Sequence, residues 1–390
     1  MSILLTITIP LLITFAGGRL LAHFKYPPLI GQFIAALVLA IPLIKGAVFT
    51  DESFKAIEIF AELSMIFLLL LTGLKTDIDR INQSRKDSIV IAFLSSLIPL
   101  IIGLTAGLLM GFGFIASFIL GTCLSITAEA TNLAILLQLG KLRTKLGSIV
   151  ISVGMLNDIL GIIFLSFILI LTYKNGISSL LLFPVRLGIF VGIIWAASKL
   201  IPPVLSYFES RKREVVMFNL VILVGLILAI LSELAGLSSI VGAFIAGVIL
   251  QNSFILKRDE KHEEHEIETI LFGFIIPFFF INIALNFDFR SLTEDPVLIL
   301  IIIIIAIFGK IAGALLAKPF TKLKWKQAYL LGWEMNSRGV IELIIANIAL
   351  NANLISTRLY SAIVLMAILT TLISPFFIKN MINRYPRIMS

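Results

Sequence analysis

A single carboxylate, Asp158, stands with Asn157 in the middle of an apolar run. The run before it is interrupted by the polar stretch Thr127-Ala128-Glu129-Ala130-Thr131-Asn132. A carboxylate at membrane depth is costly and by default marks an ion or proton pathway. Non-helical backbone at that depth is tolerated only inside protein or beside a watery cavity. Small hard cations take oxygen ligands, and these residues offer them: Asp158 as counter-charge, with Thr127, Asn157 and carbonyls freed by the break. Asp158 can also hold a proton. One group with two competing ligands is the least that exchange requires.

Further charges fall inside apolar runs. Lys310 lies in IIIIIAIFGKIAGALLA, about eight residues from either end of its run, too deep to snorkel to the headgroups. Arg338 and Glu342 lie in GWEMNSRGVIELIIANIAL, which carries a second polar interruption from Glu334 to Gly339. Glu342 is one helical turn after Arg338 and can pair with it on one face. Alternatively Glu129 pairs with Arg338 across the two breaks, which neutralises two buried charges. In either case Glu129 and Arg338 are expected to support the site rather than ligate the cation.

These residues need a membrane framework, and the composition provides one. The chain has 390 residues, of which 59% are hydrophobic and 14% charged, with a mean hydropathy of +1.08. No ordinary soluble domain of this length has such a composition. The formal charge of +8 is read as a topology signal rather than a nucleic-acid surface, because basic residues of membrane proteins gather in cytoplasmic loops. The one cysteine, Cys123, excludes an intrachain disulfide. The first apolar run, Ile3 to Ala22, lacks a basic leader and a cleavage site and is read as a retained helix.

Apolar runs long enough to span number about thirteen. With that count most of the basic residues fall on one side, which sets the N-terminus outside and the C-terminus in the cytoplasm. An odd count suits two inverted halves of about six spans joined by a linker span, each half contributing one broken helix at the midplane. The expected fold is an all-α polytopic membrane protein with crossed broken helices.

Asn157-Asp158 after a Thr127-containing break, PFFFINIALNFDF from Pro277, FGKIAG around Lys310 and NSRGVIELIIANIAL from Asn336 resemble the monovalent cation/proton antiporters. The likeness is to the branch of NapA-type sodium/proton antiporters, GerN-like exchangers and Kef potassium efflux systems. The resemblance implies a homodimer with scaffold helices in 1–86 and 203–290, a core moving as an elevator in 87–172 and 295–390, and a linker helix in 173–202. It also implies that Asp158 binds the cation and the proton, with Asn157 its neighbour, Thr127 a ligand and Lys310 the core lysine. Electrogenic members carry Asp-Asp where this chain has Asn157-Asp158.

The expected function is therefore exchange of Na+ or Li+ for H+ across the cell membrane, one for one. K+/H+ exchange of the Kef type is the alternative. A passive cation channel is opposed by a buried lysine near the site. An enzyme is excluded by the lack of any nucleophile–base pair in a span. No cofactor is called for beyond the transported ions.

Overall fold

In a bilayer the backbone must satisfy its own polar groups, so so apolar a chain can span only as helices or a closed barrel. The computed structural model describes residues 3–24, 26, 28–76, 86–127, 136, 141, 144–172, 176–209, 214–252, 269–385 and 388–389. Among these the regular structure is helical throughout, with no strands. Among the described residues, five helices are long and apolar enough to cross a membrane, or up to six if the pair Pro28–Leu39 and Pro42–Val48, bent by 85°, is one span. Shorter apolar helices of 10–17 residues make up much of the remainder. Glu129 and its neighbours 128–135 lie outside the described residues.

In chain order the helices are α1 (Ile3–His23), α2 (Pro28–Leu39), α3 (Pro42–Val48), α4 (Asp51–Lys75), α5 (Lys86–Leu109), α6 (Phe114–Ser125), α7 (Lys145–Thr172) and α8 (Gly176–Glu209). There follow α9 (Glu214–Leu234), α10 (Ser239–Asn252), α11 (Ile276–Leu285), α12 (Ser291–Glu294), α13 (Pro296–Ala317), α14 (Trp325–Glu334), α15 (Val340–Asn351) and α16 (Thr357–Arg384). The chain divides into two compact units, one of Met1–Gly17, Ala35–Ile78 and Leu169–Leu285, the other of Gly18–Ile34, Asp79–Ile168 and Asn286–Ser390.

In the first unit α4 lies against α10 and α11. The contact with α10 is close because both sides are glycine: a Cβ on Gly73 would sit 3.0 Å from the Gly247 Cα. Small residues that let backbones approach are the usual means of helix association in lipid, where apolar side chains gain nothing by leaving the solvent. Pro277 has no N–H to continue a helical ladder, and the turn before it, Leu271–Ile275, widens to a π-helix. Ser64 of α4 donates to the Ile275 carbonyl there. Phe278, Phe279 and Phe280 are buried, and Phe278 stacks on Phe60 at 4.8 Å between centroids.

The second unit contains the residues of interest. Its α13 carries a buried strip of small residues, Ala306, Gly309, Gly313, Ala314 and Ala317, at helical spacing. Gly313 approaches α5 so closely that a Cβ would lie 2.8 Å from the Ser95 Cα. Lys310 belongs to that strip and is therefore carried inward, while Phe308 and Leu316 are exposed on other faces. Helices α5 and α6 meet through Gly103 and Gly121, where a Cβ on Gly103 would fall 2.6 Å from the Gly121 Cα. The other packings that matter are α6 on α15, and α14 and α16 on α13.

Candidate functional site

Two helices of the second unit stop inside the apolar region. The first, α6, gives way at Ile126 to extended backbone, φ −83° and ψ 152°. The second break, Met335 to Gly339, separates α14 from α15. A helix end leaves its last four carbonyls without intrahelical partners, and buried away from water each needs another. At the end of α6 all four are accounted for by side chains. Ser125 Oγ donates to the Thr122 carbonyl at 2.7 Å. Arg338 Nη1 donates to Cys123 O at 3.2 Å, Leu124 O at 2.7 Å and, beyond the helix, Ile126 O at 2.8 Å. Lys310 Nζ donates to Ser125 O. The basic side chains of Lys310 and Arg338 thus sit at the negative end of the α6 dipole, where positive charge is favoured.

The second break is satisfied in the same manner. Arg338 N donates to Thr371 Oγ1 of α16 at 2.9 Å, and Asn336 Nδ2 donates to Gly332 O at 2.9 Å. Arg338 also pairs with Glu342 Oε2 one turn on, at 3.7 Å, with both side chains fully buried. This is the first of the two pairings open from spacing alone. Cys123 Sγ, buried in α6, faces the Glu342 carbonyl of α15 at 3.7 Å.

The Thr127 hydroxyl is where the two breaks and α7 meet. It donates to the Met335 carbonyl at 3.1 Å, and accepts from Lys310 Nζ at 2.7 Å and from Asn157 Nδ2 at 3.3 Å. A hydroxyl has one donor and two acceptor lone pairs, so its capacity is filled. Asn157 is a strut: its Nδ2 also faces Met335 Sδ at 3.6 Å, and its Oδ1 accepts from Ser96 Oγ of α5 at 2.8 Å. Asp158 follows on α7, buried at 8% exposure.

The structure thus brings Thr127, Asn157 and Lys310 into one hydrogen-bonded group, with Arg338 and Glu342 at the α6 end beside it. The freed carbonyls, expected as cation ligands, are held by Lys310 and Arg338. Sequence reasoning missed Ser96 and Met335. The Ser95-Ser96 pair in an otherwise apolar run was the available signal for one. Nothing marks a methionine carbonyl in advance. It also passed over Glu334, inside the second interruption, which is fully buried with neither carboxylate oxygen hydrogen-bonded among the described residues. As an anion it would go uncompensated, at a cost above about 1–3 kcal/mol.

A family model for the transmembrane sodium/hydrogen exchanger matches residues 9–384. The chain belongs to the sodium/hydrogen exchanger family. Among curated relatives, the Na+/H+–K+ antiporter GerN of Bacillus cereus is 27% identical over 374 residues, spanning 96% of this chain and 94% of GerN. A Na+/H+ antiporter of Enterococcus hirae is 29% identical, with 95% of each chain covered. The sodium proton antiporter MjNhaP1 of Methanocaldococcus jannaschii, solved at pH 8, superposes with a TM-score of 0.72 over 95% of this chain and 94% of that one, at 17% identity. The last comparison speaks to the fold: this exchanger has the helical membrane architecture of MjNhaP1. Its relatives are transporters, and it is not an enzyme.

Proposed function

We propose that this exchanger trades Na+, or Li+, for H+ across the cell membrane at Asp158, one for one, by an elevator movement of its core. The observation that carries the reading is the Lys310 ammonium. It is held by the Ser125 carbonyl and the Thr127 hydroxyl, the kind of oxygen ligands that a small cation takes. The side chain stands in for the cation on the oxygens and leaves Asp158 to carry the proton. When a cation arrives it takes the charge of Asp158 and competes with Lys310 for Thr127, which has no third lone pair to offer. Asn157 holds the crossing in register, and Arg338 with Glu342 supports the α6 end. Glu129 is assigned a supporting role as well.

The rest of the architecture is part of the same proposal: about thirteen spans in two inverted repeats, a homodimer, an N-terminus outside and a C-terminus in the cytoplasm. The scaffold comprises 1–86 and 203–290, the core 87–172 and 295–390, and the linker 173–202. The separation of the chain into two compact units, with α5, α6, α13, α14, α15 and α16 in one, supports that division in part, since Gly18–Ile34 of the proposed scaffold falls in the same unit as those helices.

The test is recovery from an acid-inside gradient in proteoliposomes on adding Na+, Li+, K+ or choline. Recovery is expected with Na+ and Li+, and response to none of the three metal ions overturns the antiporter reading. The name of GerN includes K+, so potassium is the second reading, and recovery with K+ alone selects it.

If the ammonium competes for Thr127, Lys310→Met should lower the half-saturating Na+ concentration about tenfold, 1.4 kcal/mol. The maximal rate should fall too, because Ser125 O then lacks a donor in the unloaded state, at about 1–3 kcal/mol. Thr127→Val should raise half-saturation. Unchanged half-saturation in both variants would separate Lys310 from the cation site.

With Lys310 charged throughout, the loaded core carries equal net charge with proton or cation, so initial rates should ignore an imposed membrane potential. Rates that follow voltage in the unmodified protein would mean that a second group moves a proton.

A further inference from the structure

At the end of the second unit where α13 stops, α14 begins and α16 finishes lies a cavity of about 620 Å³ outside the network around Thr127. Three cations line it, Lys324, Lys326 and Arg384, and no carboxylate does among the described residues. Two of them are organised by one ring: Lys326 Nζ lies 4.0 Å from the Tyr385 centroid, and the Arg384 guanidinium carbon 5.8 Å from it. Cation–π contacts order these groups without neutralising them. The N-terminus of the ten-residue α14 opens at the same place, with Gln327 Oε1 accepting from Lys324 N at 2.9 Å. Helix N-termini attract anions through their free amides and dipole.

The wall is fixed by the end of the chain. Gln327 Nε2 donates to Ile388 O at 3.0 Å, and the Met389 carbonyl accepts from Leu146 N of α7 at 3.4 Å. The cavity is thus a recess with ordered walls, and its described charged residues are all basic.

We propose that it seats the phosphate headgroup of an anionic membrane lipid. The choice of a lipid over a soluble phosphate rests on what borders the recess. Trp325 lines it and is 59% exposed, Phe320 and Leu316 on the adjoining end of α13 and its following turn are 65% and 51% exposed, and Lys318 Nζ lies 5.1 Å over the Trp325 ring. An exposed tryptophan under a lysine at the end of a span is the arrangement found at headgroup level. Leu316 and Phe320 continue it along an apolar surface that acyl chains can follow, and basic clusters at such positions attract anionic lipid. The proposal is independent of which cation is transported.

The test uses delipidated full-length protein in detergent, titrated with phosphatidylglycerol, phosphatidylcholine or inorganic phosphate. Thermal unfolding and native mass spectra are the readouts. The parent should gain thermal stability and retain one or more lipid adducts with phosphatidylglycerol only. Lys324→Gln with Lys326→Gln and Arg384→Gln should unfold at the parent's temperature without lipid and lose most of the gain. If the triple variant is misfolded, Lys326→Gln and Arg384→Gln singly should each weaken the gain, and more so at raised salt, where exposed charges are screened. Equal stabilisation by phosphatidylcholine, or an undiminished gain in the variants, overturns the proposal. Equal stabilisation by inorganic phosphate overturns the lipid assignment and leaves a free-phosphate site.

Discussion

Asp158→Asn is expected to abolish exchange while leaving the protein folded. The substitution keeps the volume of a buried side chain and removes the charge for which, in the proposed function, proton and cation compete. Among the described residues, Asn157 is an amide engaged with Ser96 and Thr127, and Glu342 is paired with Arg338. Initial rates in proteoliposomes should fall at least about a hundredfold, 2.7 kcal/mol of barrier, with the thermal midpoint in detergent close to that of the parent. Retention of more than about a tenth of the parent rate would place the exchanging group elsewhere. With Asn157 bracing the crossing as proposed, Asn157→Asp should keep activity, and any voltage dependence it acquires would report an added charge at the site.

The largest expected effect on stability comes from Arg338. Its guanidinium closes three carbonyls around the end of α6 and faces Glu342 in a place without solvent. Arg338→Met leaves orphaned carbonyls and a buried carboxylate without its partner. Breaking a buried pair from one side costs about 3–5 kcal/mol, a large fraction of a typical 5–15 kcal/mol stability. The thermal midpoint should drop by roughly 10 °C. Adding Glu342→Leu should recover the part due to the stranded carboxylate and leave the part due to the carbonyls. A single variant as stable as the parent would mean that water reaches the crossing and caps α6 in place of the arginine.

How much of this was legible beforehand follows from what each residue costs. Charges and breaks in apolar runs are expensive, so Asp158, Lys310, Arg338, Glu342 and the two interruptions stood out by type alone. Lys310 is inward because it shares a face with Gly309, Gly313 and Ala314, a pattern visible in the sequence. The pairing of Arg338 with Glu342 needed coordinates, since spacing also allowed Glu129, which lies outside the described residues. Ser96 and Met335 were not legible as partners, because a serine in an apolar helix normally bonds its own backbone and a methionine acts here through its carbonyl. The partners of the freed carbonyls were the least legible part: a helix break was read as exposing ligands, and at the end of α6 those carbonyls accept from the side chains of Ser125, Lys310 and Arg338.

Cys123 gives the crossing a native reporter. It is the chain's one thiol, is wholly buried, and its sulfur faces the Glu342 carbonyl across the gap between the broken helices. A thiol so enclosed is inert to modifying reagents for as long as α6 and α15 stay together. Its alkylation rate therefore clocks their separation in unmodified protein. Slower alkylation in Na+ than in choline would mean that the loaded site holds those two helices shut, and acceleration would mean that loading pries them apart.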